Sequence, residues 1–308
     1  MTTDHRQTDY SPMMECESGC DIETPNKNKP VEIYSFVDPL CPECWGLEPV
    51  IKKLQIEYGN HFRLRHLMGG RIDYWNSVVQ KKNGICTKED VAKKWEITAN
   101  RSGMSCDGDV WYEDPIQTPY VASIAVKAAE LQGKSSGMRF LRKLREVLFL
   151  QKQNITKVDV ITDCAKSAGL DVDEFQKDLH SDTAVKAFQC DVKTTQEMEV
   201  SQLPSLVFFS DTSEEGIKIT GMYSYEVYVH ILEELIGDLP DKCAPPSLEK
   251  FLKKYQFVAT KEIAEVYNLS PREVESQMKK LTLQQIVERV PVKHGTFWRY
   301  NNKNSQAD

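Results

Sequence analysis

The chain has 308 residues, 40% of them apolar and 28% charged, and a net charge of −7. Such a composition suits a globular protein of two domains, or of one domain with a large insertion, and its acidic balance argues against nonspecific nucleic-acid binding by the whole molecule. No run approaches the roughly 20 apolar residues of a membrane span, and Met1–Glu17 has no basic segment followed by an apolar one, so neither membrane association nor secretion is expected and the cytoplasm is the expected compartment.

Residues 1–30 are polar, carry Pro12, Pro25 and Pro30, and read as a disordered arm. Val31–Val37 is an apolar strand. Leu47–Tyr58 has helical spacing and stops at Gly59, and Phe62–Met68 is a second strand, which opens an α/β unit. From about 87 to 182 the pattern is helical: Lys88–Ser102, Thr118–Gln132 with Gly133 as its stop, Met138–Gln151, Val158–Ala168 and Val172–His180, with Thr156 and Asp171 as expected N-caps. Thr183–Glu199 returns the chain to the sheet. Ser205–Phe209 and Gly216–Thr220 read as strands and Tyr225–Ile236 as a closing helix. The order βαβ, helical block, αββα predicts a thioredoxin-like α/β fold with a large helical insertion, similar to that of the bacterial thiol oxidoreductase DsbA. Such folds place a cis-proline before the third strand, and Leu203-Pro204 stands there.

Expected domain limits are 31–237 for this unit, 238–247 for a proline-bearing linker, 248–300 for a second unit and 301–308 for a disordered tail. In the second unit a helix over Leu248–Val258 leads into a segment from Thr260. A turn at Tyr267–Ser270, a helix Pro271–Leu281 with proline at its first position, and strands Ile286–Val290 and Gly295–Tyr300 follow. Helix, turn, capped helix and hairpin is the order of a winged helix-turn-helix. Leu248–Tyr300 holds ten Lys/Arg and six Glu, but its second helix mixes Arg272, Lys279 and Lys280 with Glu273 and Glu275. A DNA reader usually shows a denser basic stripe, so a protein-binding or structural role is favoured and no nucleic acid is expected.

Two cysteine pairs are closely spaced among nine scattered cysteines, Cys16/Cys20 and Cys41/Cys44. The scatter and odd count argue against a disulfide framework, and Cys164 and Cys190 read as small core residues. Cys41-Pro42-Glu43-Cys44 lies where strand becomes helix. A thiolate at a helix N-terminus is stabilised by free N–H groups, so Cys41 is a candidate nucleophile and Cys44 a candidate resolving thiol, with Pro204 beside them. Glu43 works against this, because a carboxylate beside the thiolate disfavours ionisation. No further ligand pair at zinc spacing follows. The residues leave open both thiol–disulfide exchange and a passive docking platform, and no catalytic residue is assigned. His5, Cys16 and Cys20 offer soft zinc ligands in the arm, but three are too few for a closed structural site. Otherwise no cofactor is expected. His61, His66 and His180 read as ordinary histidines, and Trp45, Trp95 and Trp111 as packing or interface residues.

The segments EIYSFVDPLCPECWGLEPVIKKL, ANRSGMSCDGDVW, KAAELQGKSSGMRFLR and GMYSYEVYVHILEEL resemble, in collinear order from Val31 to Trp298, the SpxH (YjbH) family of ClpXP adapter proteins. The arm is the least similar part, since family members tend to be richer in histidine there. The resemblance implies a non-enzymatic adaptor of regulated proteolysis in the stress response. It would bind Spx, a redox-responsive transcription regulator of Firmicutes, and present it to the ClpXP protease.

Overall fold

The computed structural model describes residues 29–70, 87–210 and 213–301. A four-stranded sheet of order β2-β1-β3-β4 is made by β1 Val31–Val37, β2 Phe62–Met68, β3 Ser205–Ser210 and β4 Ser213–Thr220. β1 runs parallel to β2 and antiparallel to β3, and the β3–β4 ladder shifts register between Phe208 and Ser210. Strand alternation divides the side chains between two cores. Val31, Ile33, Leu206 and Phe208 face one side, where α1 (Pro42–Tyr58) packs through Leu47, Val50 and Leu54 beside Tyr228 and Leu232 of α9 (Tyr225–Ile236). Tyr34, Phe36 and Val207 face the other, which is covered by a helical block inserted between β2 and β3.

That block comprises α2 Lys88–Ser102, α3 Val110–Glu113, α4 Tyr120–Leu131, α5 Lys134–Gln151, α6 Val158–Ser167, α7 Val172–Leu179 and α8 Asp182–Glu197. Thr87, Asp171 and Ser181 cap α2, α7 and α8 through their side chains. A helix start and a cap depart from expectation. α5 begins a turn early, because Gly133, at φ 112°, both ends the preceding turn and serves as its N-cap, a backbone conformation that L side chains rarely adopt. Thr156 does not cap α6; its hydroxyl bonds Asn154 instead, and Lys157 stands at the cap. Cys164 is buried as expected, whereas Cys190 is only half-buried.

The C-terminal unit runs α10 Leu248–Tyr255, β5 Phe257–Ala259, α11 Thr260–Tyr267, α12 Pro271–Leu283, β6 Val287–Val292 and β7 Gly295–Tyr300. Ser270 and Glu273 form a reciprocal capping box at α12. The helix expected to reach Val258 stops at Tyr255. Gln256 turns to φ 62°, and Phe257–Ala259 becomes a third strand, paired to β7 in a sheet of order β5-β7-β6. Phe251, Ile263, Val274, Met278 and Trp298 form the unit's own core. Phe297 and Ala259 instead join the core of the inserted helices, so the two units share buried apolar surface. The arm up to residue 28 and the tail from 302 lie outside the described residues.

Candidate functional site

The chain leaves β1 through a turn built on Asp38. Its Oδ1 accepts the Leu40 N–H at 2.8 Å and its carbonyl accepts the Cys41 N–H at 3.2 Å. This delivers Cys41 as the N-cap of α1, with Pro42 at the first helical position, and the Cys41 Sγ accepts the Cys44 N–H at 3.2 Å. The sulfur thereby takes one of the amide donors that a helix start leaves unpaired. Cys41 is half-buried, while Cys44 is only 3% exposed. Burial pushes the Cys44 thiol well up, and its contact with Cys41 adds to this; the charge of Arg145 and the Asp38 backbone pull it back. The arrangement offers one reachable sulfur with a shielded one a turn behind it. The Leu203–Pro204 peptide is cis, as expected.

Glu43 is paired within the fold. Its carboxylate lies 2.9 Å from the Arg101 guanidinium, so the negative charge beside Cys41 has a cationic partner. A further thiol, Cys106, is 1% exposed and burial pushes it well up; Glu96 and Cys41 are among the groups acting on it.

Trp45, next after Cys44, ties the motif to both the insertion and the C-terminal unit. Its Nε1 donates to the Ser105 carbonyl at 2.9 Å. Its ring stacks on Phe149 at 5.9 Å and on Phe297 of β7 at 6.1 Å, and the Arg142 guanidinium lies 4.4 Å from its centroid. Arg142 also meets Glu146, Glu48 and Glu262. Glu262, fully buried on α11, further accepts from Lys52 and from the Ala259 N–H. Burial alone raises a carboxyl, but Arg142 and Lys52 outweigh it and hold Glu262 down at about 2. Arg145, 3% exposed, donates to Glu48 at 2.6 Å and to the Asp38 carbonyl at 3.2 Å.

The turn between β6 and β7 enters a second cluster. Lys293 Nζ lies 2.9 Å from a carboxylate oxygen of each of Glu96, Asp107 and Asp109. His294 meets Glu96 through its ring and Ser105 Oγ through its N–H. Among the described residues these three acids are the group whose oxygens are spaced to hold a metal ion, and the Lys293 ammonium stands in their midst as the cation. The zinc candidates His5, Cys16 and Cys20 lie outside the described residues. Trp95 and Trp111 pack edge to face in the core. His66 sits on β2, where burial and then Arg145 push it down to about 4.

Sequence reading missed Glu48, Arg142, Arg145, Glu262 and Lys293. A signal existed in FLRKLREVLFL, where Arg142 and Arg145 are interleaved with the buried Leu141 and Leu144. Charges set among core positions of a helix announce buried partners.

A thioredoxin family model matches residues 34–230. Two solved structures share the fold: a probable DsbA oxidoreductase from Streptomyces coelicolor, with TM-score 0.53, 14% identity, and 70% of this chain and 97% of that one covered, and the cytosolic disulfide reductase DsbM from Pseudomonas aeruginosa, with TM-score 0.50, 15% identity, and 67% and 98% covered. At those identities the likeness concerns the fold alone. Among described residues no helix is long and apolar enough to cross a membrane. Much nearer in sequence is the ClpXP adapter protein SpxH of Halalkalibacterium halodurans, 54% identical over 285 residues, which are 92% of this chain and 93% of the relative. The ClpXP adapter protein SpxH of Bacillus subtilis is 52% identical over 274 residues, 88% of this chain and 89% of the relative. At that identity over about nine-tenths of its length, the chain belongs to the SpxH family of ClpXP adapter proteins.

Proposed function

We propose that this protein is a cytoplasmic, non-enzymatic adaptor that binds the transcription regulator Spx and promotes its degradation by the ClpXP protease. The observation that carries this reading is the 54% identity to a ClpXP adapter over 92% of the chain, which includes both units. The architecture supports it physically. Trp45 and Phe297 stack the C-terminal unit onto the cysteine-bearing helix, so buried apolar contact holds the two units together. The test is reconstituted proteolysis of Spx by purified ClpXP with and without this protein, in reducing and in oxidising buffer. Faster Spx loss in reducing buffer is expected, and a folded Cys41→Ala/Cys44→Ala variant keeps that acceleration. Spx loss at the rate of ClpXP alone overturns the reading.

A second reading is favoured by one specific observation: Cys41 is reachable at the start of α1 while Cys44 is shielded behind it. In this reading the pair exchanges thiols for disulfides, with Cys41 attacking and Cys44 resolving. Reduction of insulin no faster than an uncatalysed thiol control counts against turnover.

A further inference from the structure

Arg145 combines features with no place in an adaptor surface. It is 3% exposed, it comes from the inserted helix α5, and it reaches the underside of the cysteine turn. Nη1 is engaged by Glu48 at 2.6 Å and Nη2 by the Asp38 carbonyl at 3.2 Å, the same carbonyl that accepts the Cys41 N–H. Its Nε–H is buried with no hydrogen-bond partner among the described residues. A buried guanidinium donor left unpaired is costly unless something there uses it.

We propose that Arg145 is a positioning residue for thiol–disulfide exchange: anchored on the Asp38 carbonyl that also holds the Cys41 N–H, it keeps a positive charge at the cysteine turn to offset the negative charge that appears on Cys44 when a Cys41–Cys44 disulfide opens. The proposal rests on the exchange reading above. Glutathione thiolate attacks the reachable Cys41 sulfur; the S–S bond breaks and its electron pair passes to Cys44, while Cys41 becomes a mixed disulfide. The Cys44 thiolate then takes a proton from solvent. A second glutathione thiolate displaces Cys41, giving oxidised glutathione and a Cys41 thiolate. One protein disulfide is reduced and two glutathiones are oxidised. The lower the cost of charge on the leaving sulfur, the faster the first step.

The surroundings fix how this is read. The Cys44 N–H donates to the Cys41 sulfur, and Arg145 holds the Asp38 carbonyl of the same turn. Behind Arg145 stand Glu48, which draws off part of its charge, and His66, which burial and Arg145 keep neutral at physiological pH. Removing Arg145 therefore slows opening, and neutralising Glu48 hastens it. A merely structural role does not predict that opposition of sign.

The experiment uses the full chain, oxidised with glutathione disulfide, and follows reduction by reduced glutathione with mass-spectrometric trapping of the thiols. Arg145→Gln is expected to lower the rate about tenfold, Arg145→Lys to restore most of it, and Glu48→Gln to raise it about threefold. Should Arg145→Gln not fold, the Glu48→Gln and Arg145→Lys arms decide alone. Wild-type rates in all three variants overturn the role of Arg145 and leave exchange standing. If the wild-type chain yields no glutathione-reducible Cys41–Cys44 bond, exchange and the role of Arg145 both fall.

Discussion

The C-terminal unit meets the thioredoxin-like body through two ionic clusters lying at different depths. At the first, Glu262 is withdrawn from water and enclosed by Lys52 and Arg142. At the second, Lys293 is gripped by three carboxylates, yet its side chain remains 35% exposed. Lys293 has three charged partners against two for Glu262, but the first cluster holds its charge where no water can replace a lost partner. Depth, and not the number of contacts, should set what each is worth, because breaking a buried pair strands a charge while an exposed one is rehydrated.

The largest expected effect therefore falls on the buried cluster. Glu262→Ala leaves Lys52 and Arg142 with reduced compensation and should cost about 3–5 kcal/mol, read as a shift in the midpoint of urea unfolding. A loss below about 1 kcal/mol would place the cluster with surface pairs. Acid tests the same site without mutation. Glu262 is held at about 2 in the folded protein, below its ordinary 4.5. A depressed carboxyl contributes stability that is fully present above its unfolded value and is lost as pH falls from there through the folded value. The wild-type chain should thus lose stability between about pH 5 and pH 2 more steeply than Glu262→Gln, whose side chain does not titrate. Parallel curves would show that Glu262 is not the group responsible.

The outer cluster should respond differently. Lys293→Ala is expected to cost within about 1 kcal/mol, since the exposure of the ammonium discounts three good distances. Raising salt to about 1 M, where the screening length is about 3 Å, should shrink that cost further while leaving the cost of Glu262→Ala nearly unchanged. Equal salt sensitivity at both sites would remove the distinction between them.

The same contrast explains what the sequence disclosed. β1 and β3 were legible because both are nearly continuous apolar runs, and Cys41, Cys44 and Pro204 because each stands at a fixed place relative to a strand. The junction was not legible. Glu262 and Arg142 are 120 residues apart, and no local period joins a carboxylate on one helix to a guanidinium on another. β5 was missed for a related reason. Phe257 and Val258 continue the apolar spacing of α10, and only the positive φ of Gln256 ends that helix. The β6–β7 turn at Lys293 and His294 becomes an anchor only once Glu96, Asp107 and Asp109 are brought to it by the insertion.

The pair Arg101–Glu43 extends the gradient to the surface, with the Arg101 side chain 59% exposed beside the cysteine motif. Arg101→Ala should change stability by no more than about 0.5 kcal/mol, the least of the three. Its consequence is local instead. Without Arg101, Glu43 stands uncompensated next to Cys41, and alkylation of Cys41 by iodoacetamide should slow by about twofold at low salt, with the difference fading as salt is added. Glu43→Gln combined with Arg101→Ala should restore the wild-type rate, since the double change removes the charge that the single change exposes. If the single and double variants alkylate alike, the ion pair has no hold on the cysteine, and the gradient from buried to exposed charge stops at Lys293.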